Sequence, residues 1–113
     1  MIKKEYPIRT PEGVQGGNGV CIMRDLAVGD EMYHHARLFA SVTLHPGCSI
    51  GWHVHEKETE FYYILKGTAT VSDNGEEKTM LPGDVMKTGD GAGHSIENRT
   101  TEDLDFVALI VQA

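Results

Sequence analysis

The stretch GWHVHEKETEFYYILKG, residues 51–67, sets His53 and His55 one residue apart and spreads Glu56, Glu58 and Glu60 over the next five positions. In an extended chain, side chains at i and i+2 leave the same face with Cα atoms roughly 6.5–7 Å apart, so the two imidazoles can grip one ion from a single strand. A third donor has to come from a neighbouring strand. The polar run Glu56-Lys57-Glu58-Thr59 is expected to turn the chain as a hairpin and deliver Glu60 at the head of the aromatic strand EFYYIL. Alternation then puts Glu60, Tyr62 and Ile64 on one face and Phe61, Tyr63 and Leu65 on the other, with Glu56 and Glu58 solvated on the turn.

Outward from this stretch, thirteen glycines and four prolines punctuate short β-branched and aromatic runs, and no long window repeats its apolar residues at helical spacing. Strands are predicted over 20–24, 37–44, 51–55, 60–65, 68–72, 77–81, 84–88, 94–98 and 104–111, with one helical turn over 11–14. Asn74-Gly75 is the clearest two-residue hairpin turn, because both residues accept positive φ. So many short strands in one small domain must close on themselves as a sandwich or barrel. Residues 1–19 read as an N-terminal arm and loop, and 20–113 as a single all-β barrel domain.

The chain has 113 residues, a length for one core. A formal net charge of -7 leaves no basic stripe for phosphates, which argues against nucleic acid or an anionic membrane and for a small-molecule ligand. With no apolar run of about 18 residues, a cytoplasmic protein is expected. Cys21 and Cys48 are too few for a disulfide framework and read as reduced, packed thiols.

A fourth donor is available in GDVMKTGDGAGHSIENRT, where His94 follows a glycine-rich turn and opens a strand. Three imidazoles and a carboxylate suit a divalent transition ion with open positions (manganese, iron, nickel or zinc), whereas closed structural zinc sites favour thiolates. These residues resemble the cupins. Their first motif fits at Gly47, His53, His55, Glu60 and Gly67, and their second at Gly83, Gly91, His94 and Asn98, with Gly89 standing where proline is usual. The resemblance is specific over 47–98. It implies a double-stranded β-helix, or jelly-roll, barrel, often a homodimer, with His53, His55, Glu60 and His94 as metal ligands.

Tyr62, Met86, Ile96 and Phe106 alternate so that they can line a cavity beside the metal, and Asn98 and the motif glycines serve backbone geometry. Asp84 is expected to cap its turn. Arg37, Arg99, Glu97 and Glu58 are candidates for anchoring a substrate or for acid and base work, although parity with His94 turns Glu97 away. His34, His35 and His45 fit no motif and read as packing, surface or dimer-contact residues. Similar cupins include dioxygenases, decarboxylases and isomerases, so the chain is expected to be a small metal-dependent enzyme on a carboxylate- or oxygen-rich metabolite, or else a binder or sensor that holds its ligand on the metal. Oxalate-acting members carry an arginine three positions before the first motif histidine, where this chain has Ile50.

Overall fold

The computed structural model describes residues 1–113. Ten strands run β1 (Ile8–Arg9), β2 (Cys21–Ala27), β3 (Ala36–Leu44), β4 (Ser49–Val54), β5 (Glu58–Lys66), β6 (Ala69–Asp73), β7 (Glu76–Met80), β8 (Val85–Gly89), β9 (Gly93–Glu97) and β10 (Leu104–Gln112). Helix is limited to single 3-10 turns at Val14–Gly16 and Gly29–Met32. The strands form two antiparallel sheets, ordered β1-β2-β3-β10-β5-β8 and β4-β9-β6-β7. This is the all-β jelly roll. No helix is long and apolar enough to cross a membrane.

Alternation builds the core between the sheets. Ala40, Val42 and Leu44 of β3, Tyr62 and Ile64 of β5, and Leu104, Phe106 and Ala108 of β10 point inward against Val71 and Ile96 of the smaller sheet. Asn74 and Gly75 take φ of 52° and 96° and join β6 to β7 with Asp73 opposite Glu76, the two-residue turn expected.

The structure corrects two expectations. The chain between His55 and Glu58 is not a hairpin: β4 pairs with β9, and β5 pairs with β10 and β8 in the other sheet, so this segment crosses between sheets. The reason is closure: the barrel's two sheets are linked by connections that cross between them, β3 to β4, β4 to β5 and β5 to β6 among them. Glu58 is not a solvated turn residue either; it opens β5, and its side chain is only 16% exposed.

The N-terminal arm lies on the barrel. β1 pairs with the middle of β2, Ile8 opposite Arg24, and Arg9 donates two hydrogen bonds to the Asp25 carboxylate at 2.7 and 2.8 Å. Beyond it the 3-10 turn sits directly on β4. A Cβ on Gly51 would lie 2.1 Å from the Gln15 carbonyl oxygen, and one on Gly17 would lie 2.2 Å from that of Ser49, so the approach requires glycine on both sides. Replacing Gly51 by Ala should therefore lift the arm. We expect a loss of about 1–3 kcal/mol in urea unfolding and new protease cutting within residues 1–19; an unchanged midpoint and cleavage pattern would contradict this seating.

Candidate metal centre

The β4 strand carries a bulge that decides where its histidines face. Ile50 pairs with Ile96 and His53 with His94, so three steps along β4 match two along β9. The extra residue lets Ile50 and His53 both face inward, which strict alternation forbids. His53 then stands directly opposite His94, His55 follows two residues on, and Glu60 reaches in from β5 of the facing sheet.

The four side chains converge on one point, with one donor atom from each lying within 4.8 Å of the others. His94 Nε2 is 2.9 Å from His53 Nε2 and 3.1 Å from His55 Nε2, and Glu60 Oε1 is 2.9 Å from the Nε2 atoms of both His55 and His94. His53 Nδ1 donates to the Gly51 carbonyl at 2.8 Å, and His55 Nδ1 donates to the Glu58 carboxylate. A carbonyl only accepts, so the proton of neutral His53 is on Nδ1 and its Nε2 presents a bare lone pair; the same holds for His55. Lone pairs and a carboxylate oxygen at such distances repel unless a cation lies among them. Donors 90° apart on a shell of about 2.1 Å are about 3.0 Å apart, against about 3.4 Å for a tetrahedron; the spacings quoted match the first figure and the 3.5 Å between His53 Nε2 and Glu60 Oε1 the second, so the donor set fits around one divalent ion.

Electrostatics point the same way. Burial would raise the Glu60 carboxyl, but a positive charge among the imidazoles of His53, His55 and His94, as when a ring takes up a proton, more than offsets it and holds the group well below the usual carboxylate range. The Glu60 hydrogen bond raises His55, whereas burial lowers His94. His94 Nδ1 has no partner, and the ring is instead fixed by stacking on Tyr62, with centroids 4.7 Å apart and planes 9° from parallel. Burial and then the charge of Glu60 push the Tyr62 phenol well above its ordinary value, so it keeps its proton.

Behind His55 stands a support that the sequence did not reveal. Arg37 Nε and Nη2 donate to the two Glu58 oxygens at 2.8 and 2.7 Å, and Glu58 in turn accepts from His55 Nδ1. This carboxylate fixes the tautomer of His55, as outer-shell partners of metal-binding imidazoles do. The only signal for it was an acid three residues after the histidine; its partner Arg37 lies far away in the sequence.

The cluster forms the floor of a cavity of about 270 Å³. Tyr62 lines it, together with Arg9, Pro11, Val14 and Gln15 of the arm and Met23, Arg37, Leu38, Ile50 and Ile110 of the barrel. Of the other proposed lining residues, Met86 borders a separate cavity beside Met80 and Lys87, Ile96 is fully buried in the core, and Phe106 is buried edge-on against Tyr62. None of the three is among the residues that line the cavity above the donors. Gly47, Gly67, Gly83 and Gly91 sit in turns with positive φ, and buried Asn98 donates to the carbonyls of Leu44 and Glu102. Asp84 caps its turn through the Leu81 amide. Glu97 and Arg99 pair with each other, His34 pairs with Asp30, His45 pairs with Asp103, and His35 is exposed. Cys21 and Cys48 are free thiols, and burial raises Cys21 to about 11.

The guanidinium of Arg37 first, and then His55, hold Glu58 down to about 2 from an ordinary 4.5. A lowered carboxylate stabilises the fold above its unfolded value and loses that contribution as pH falls toward the folded one. The metal-free protein should lose stability between about pH 4.5 and pH 2 partly through this group. Glu58→Gln should flatten that slope and cost about 1.5–3 kcal/mol at neutral pH. Parallel acid-unfolding curves for the two proteins would contradict the assignment.

Known proteins share both this fold and its sequence. The chain is 45% identical over 105 residues to the oxalate-binding protein of Thermotoga maritima, covering 90% of this chain and 87% of that one. It superposes with a TM-score of 0.93 and 41% identity on the crystal structure of a predicted oxalate decarboxylase from Thermotoga maritima, covering 96% and 95% of the two chains. A sugar phosphate isomerase of Silicibacter pomeroyi, 24% identical over 96% of this chain and 73% of its own, shares the fold with a TM-score of 0.75. The Cupin domain family model matches residues 40–110, a span that holds all four converging side chains, and the chain belongs to the cupin family.

Proposed function

We propose that His53, His55, Glu60 and His94 hold one divalent transition ion, and that the protein binds a small carboxylate of the oxalate type upon it. The observation that carries this reading is the meeting of three imidazole Nε2 atoms around a single carboxylate oxygen at the floor of a cavity. Support also comes from the oxalate-binding relative in Thermotoga maritima. The bound ion supplies Lewis-acid attraction for carboxylate oxygens. The protein's part is to keep the imidazoles in the ligating tautomer through Gly51 and Glu58, to keep Glu60 ionised, and to shield the floor from bulk water.

A second reading, that the bound carboxylate is also turned over, is favoured by Tyr62. Decarboxylation leaves a carbon that needs a proton, and this phenol is the hydroxyl that lines the cavity beside the donors. Ile50, at the position of the arginine seen in oxalate-acting cupins, speaks for binding first and for a modest rate if there is one.

Protein reconstituted with manganese, iron, nickel or zinc should carry about one ion per chain with at least one of them, and His53→Ala, His55→Ala should carry almost none. Equal metal content in the two proteins overturns the site. Metal should also be lost on acidification through the imidazole range around pH 6.5, because ligating nitrogens must be unprotonated and Glu60 raises His55 toward the protonated form. Oxalate should raise the melting temperature of loaded protein and leave that of metal-free protein unchanged. If oxalate is consumed, Tyr62→Phe should slow turnover by about 10²-fold or more while leaving metal content intact.

A further inference from the structure

Oxalate underfills this cavity. Its six heavy atoms take roughly the room of three waters, about 90 Å³ at about 30 Å³ each, within a space of about 270 Å³. Much of the remaining space is walled by hydrocarbon, with Gln15 of the arm among its polar lining residues. Above the donors its wall is Val14 from the arm, Met23 from β2, Leu38 from β3, Ile50 from β4 and Ile110 from β10, of which Met23, Ile50 and Ile110 are buried.

Two guanidinium groups also border the cavity, and each already has the Nε–Nη2 edge that best grips a carboxylate taken up. Arg9 is committed through Nε and Nη2 to Asp25, and Arg37 through the same pair of nitrogens to Glu58. Each pair is close to neutral as a unit. The polar recognition therefore belongs to the floor, and the wall above it is apolar on several sides.

We infer that the ligand this cavity is shaped for is a 2-oxo or 2-hydroxy monocarboxylate with a branched apolar side chain, its adjacent oxygens on the ion and its chain against Val14, Leu38, Ile50 and Ile110. Such an acid keeps the neighbouring oxygens of oxalate and replaces one of its charges with hydrocarbon. The inference rests on the metal-and-carboxylate reading above and adds the identity of the ligand's other end. It also gives the arm a role in recognition, since Val14 completes the wall and the glycine contact between Gly17 and β4 holds it there.

Calorimetric titration of manganese-loaded protein with oxalate, pyruvate, α-ketoisocaproate and α-ketoglutarate tests this. Pyruvate and α-ketoisocaproate share a chelating head, so their ratio isolates the wall. At about fourfold per buried methylene, three further carbons should favour α-ketoisocaproate by about 50-fold. Val14→Phe and Leu38→Phe, made separately so that misfolding of one leaves the other to report, should each cut that preference to within about fivefold by filling the wall. A preference under about threefold in the parent protein, or tighter binding of α-ketoglutarate than of α-ketoisocaproate, overturns the inference while leaving the carboxylate reading in place. Failure of all four acids, oxalate included, to bind protein that retains its manganese overturns both.

Discussion

Three imidazole nitrogens and a carboxylate oxygen crowded within about hydrogen-bond distance form the constraint on which the rest of this structure turns. Such groups do not gather unaided: each is an acceptor, all are withdrawn from water, and burial penalises any charge they carry. What keeps them together is a frame stiff enough to resist their separation. One sheet contributes His53 and His94 face to face, the other contributes Glu60, and the core of Tyr62, Phe106 and the aliphatic residues beneath them locks the two sheets in place. The bulge in β4 is part of the same solution, since without its extra residue His53 would face the solvent side.

Most of this frame was legible in the sequence, and the parts that were not share a physical reason. The strands of β3, β5 and β10 announce themselves by alternation, and Asn74-Gly75 announces its turn, because these features depend on neighbours in the chain. The convergence of His53, His55, Glu60 and His94 followed from spacing together with a motif. Sheet membership did not follow: the segment after His55 reads equally well as a hairpin or as a crossover, because its polar residues satisfy either path. Glu58 was misplaced for that reason. Its partners, Arg37 and His55, come together only when the two sheets are stacked, so nothing local distinguishes it from a solvated acid.

The arm was harder still. β1 is two residues long, preceded by Pro7, and carries no alternation to detect, while the seating of Gln15 on β4 depends on two glycines that look like ordinary loop residues. Only in three dimensions does it become clear that Gly17 and Gly51 are absences of side chain that let two backbones meet. Residues read as an appendage thus supply a wall of the cavity, in company with a floor built wholly from the motif.

That division of labour has a kinetic side. The floor is tied into the two sheets of the barrel, but the arm is fastened by a two-residue ladder, an isolated bridge between Glu12 and Val20, the Arg9–Asp25 and Lys3–Glu31 pairs, a few hydrogen bonds to Cys21, Asp25, Leu26 and Ser49, and the glycine contact. Displacing it breaks only those bonds, so the arm belongs to the low-stability end of the molecule, where segments open many times for each global unfolding event. The two parts of the cavity therefore differ in how readily they loosen: the wall that residues 1–19 supply can move while the donors below keep their geometry.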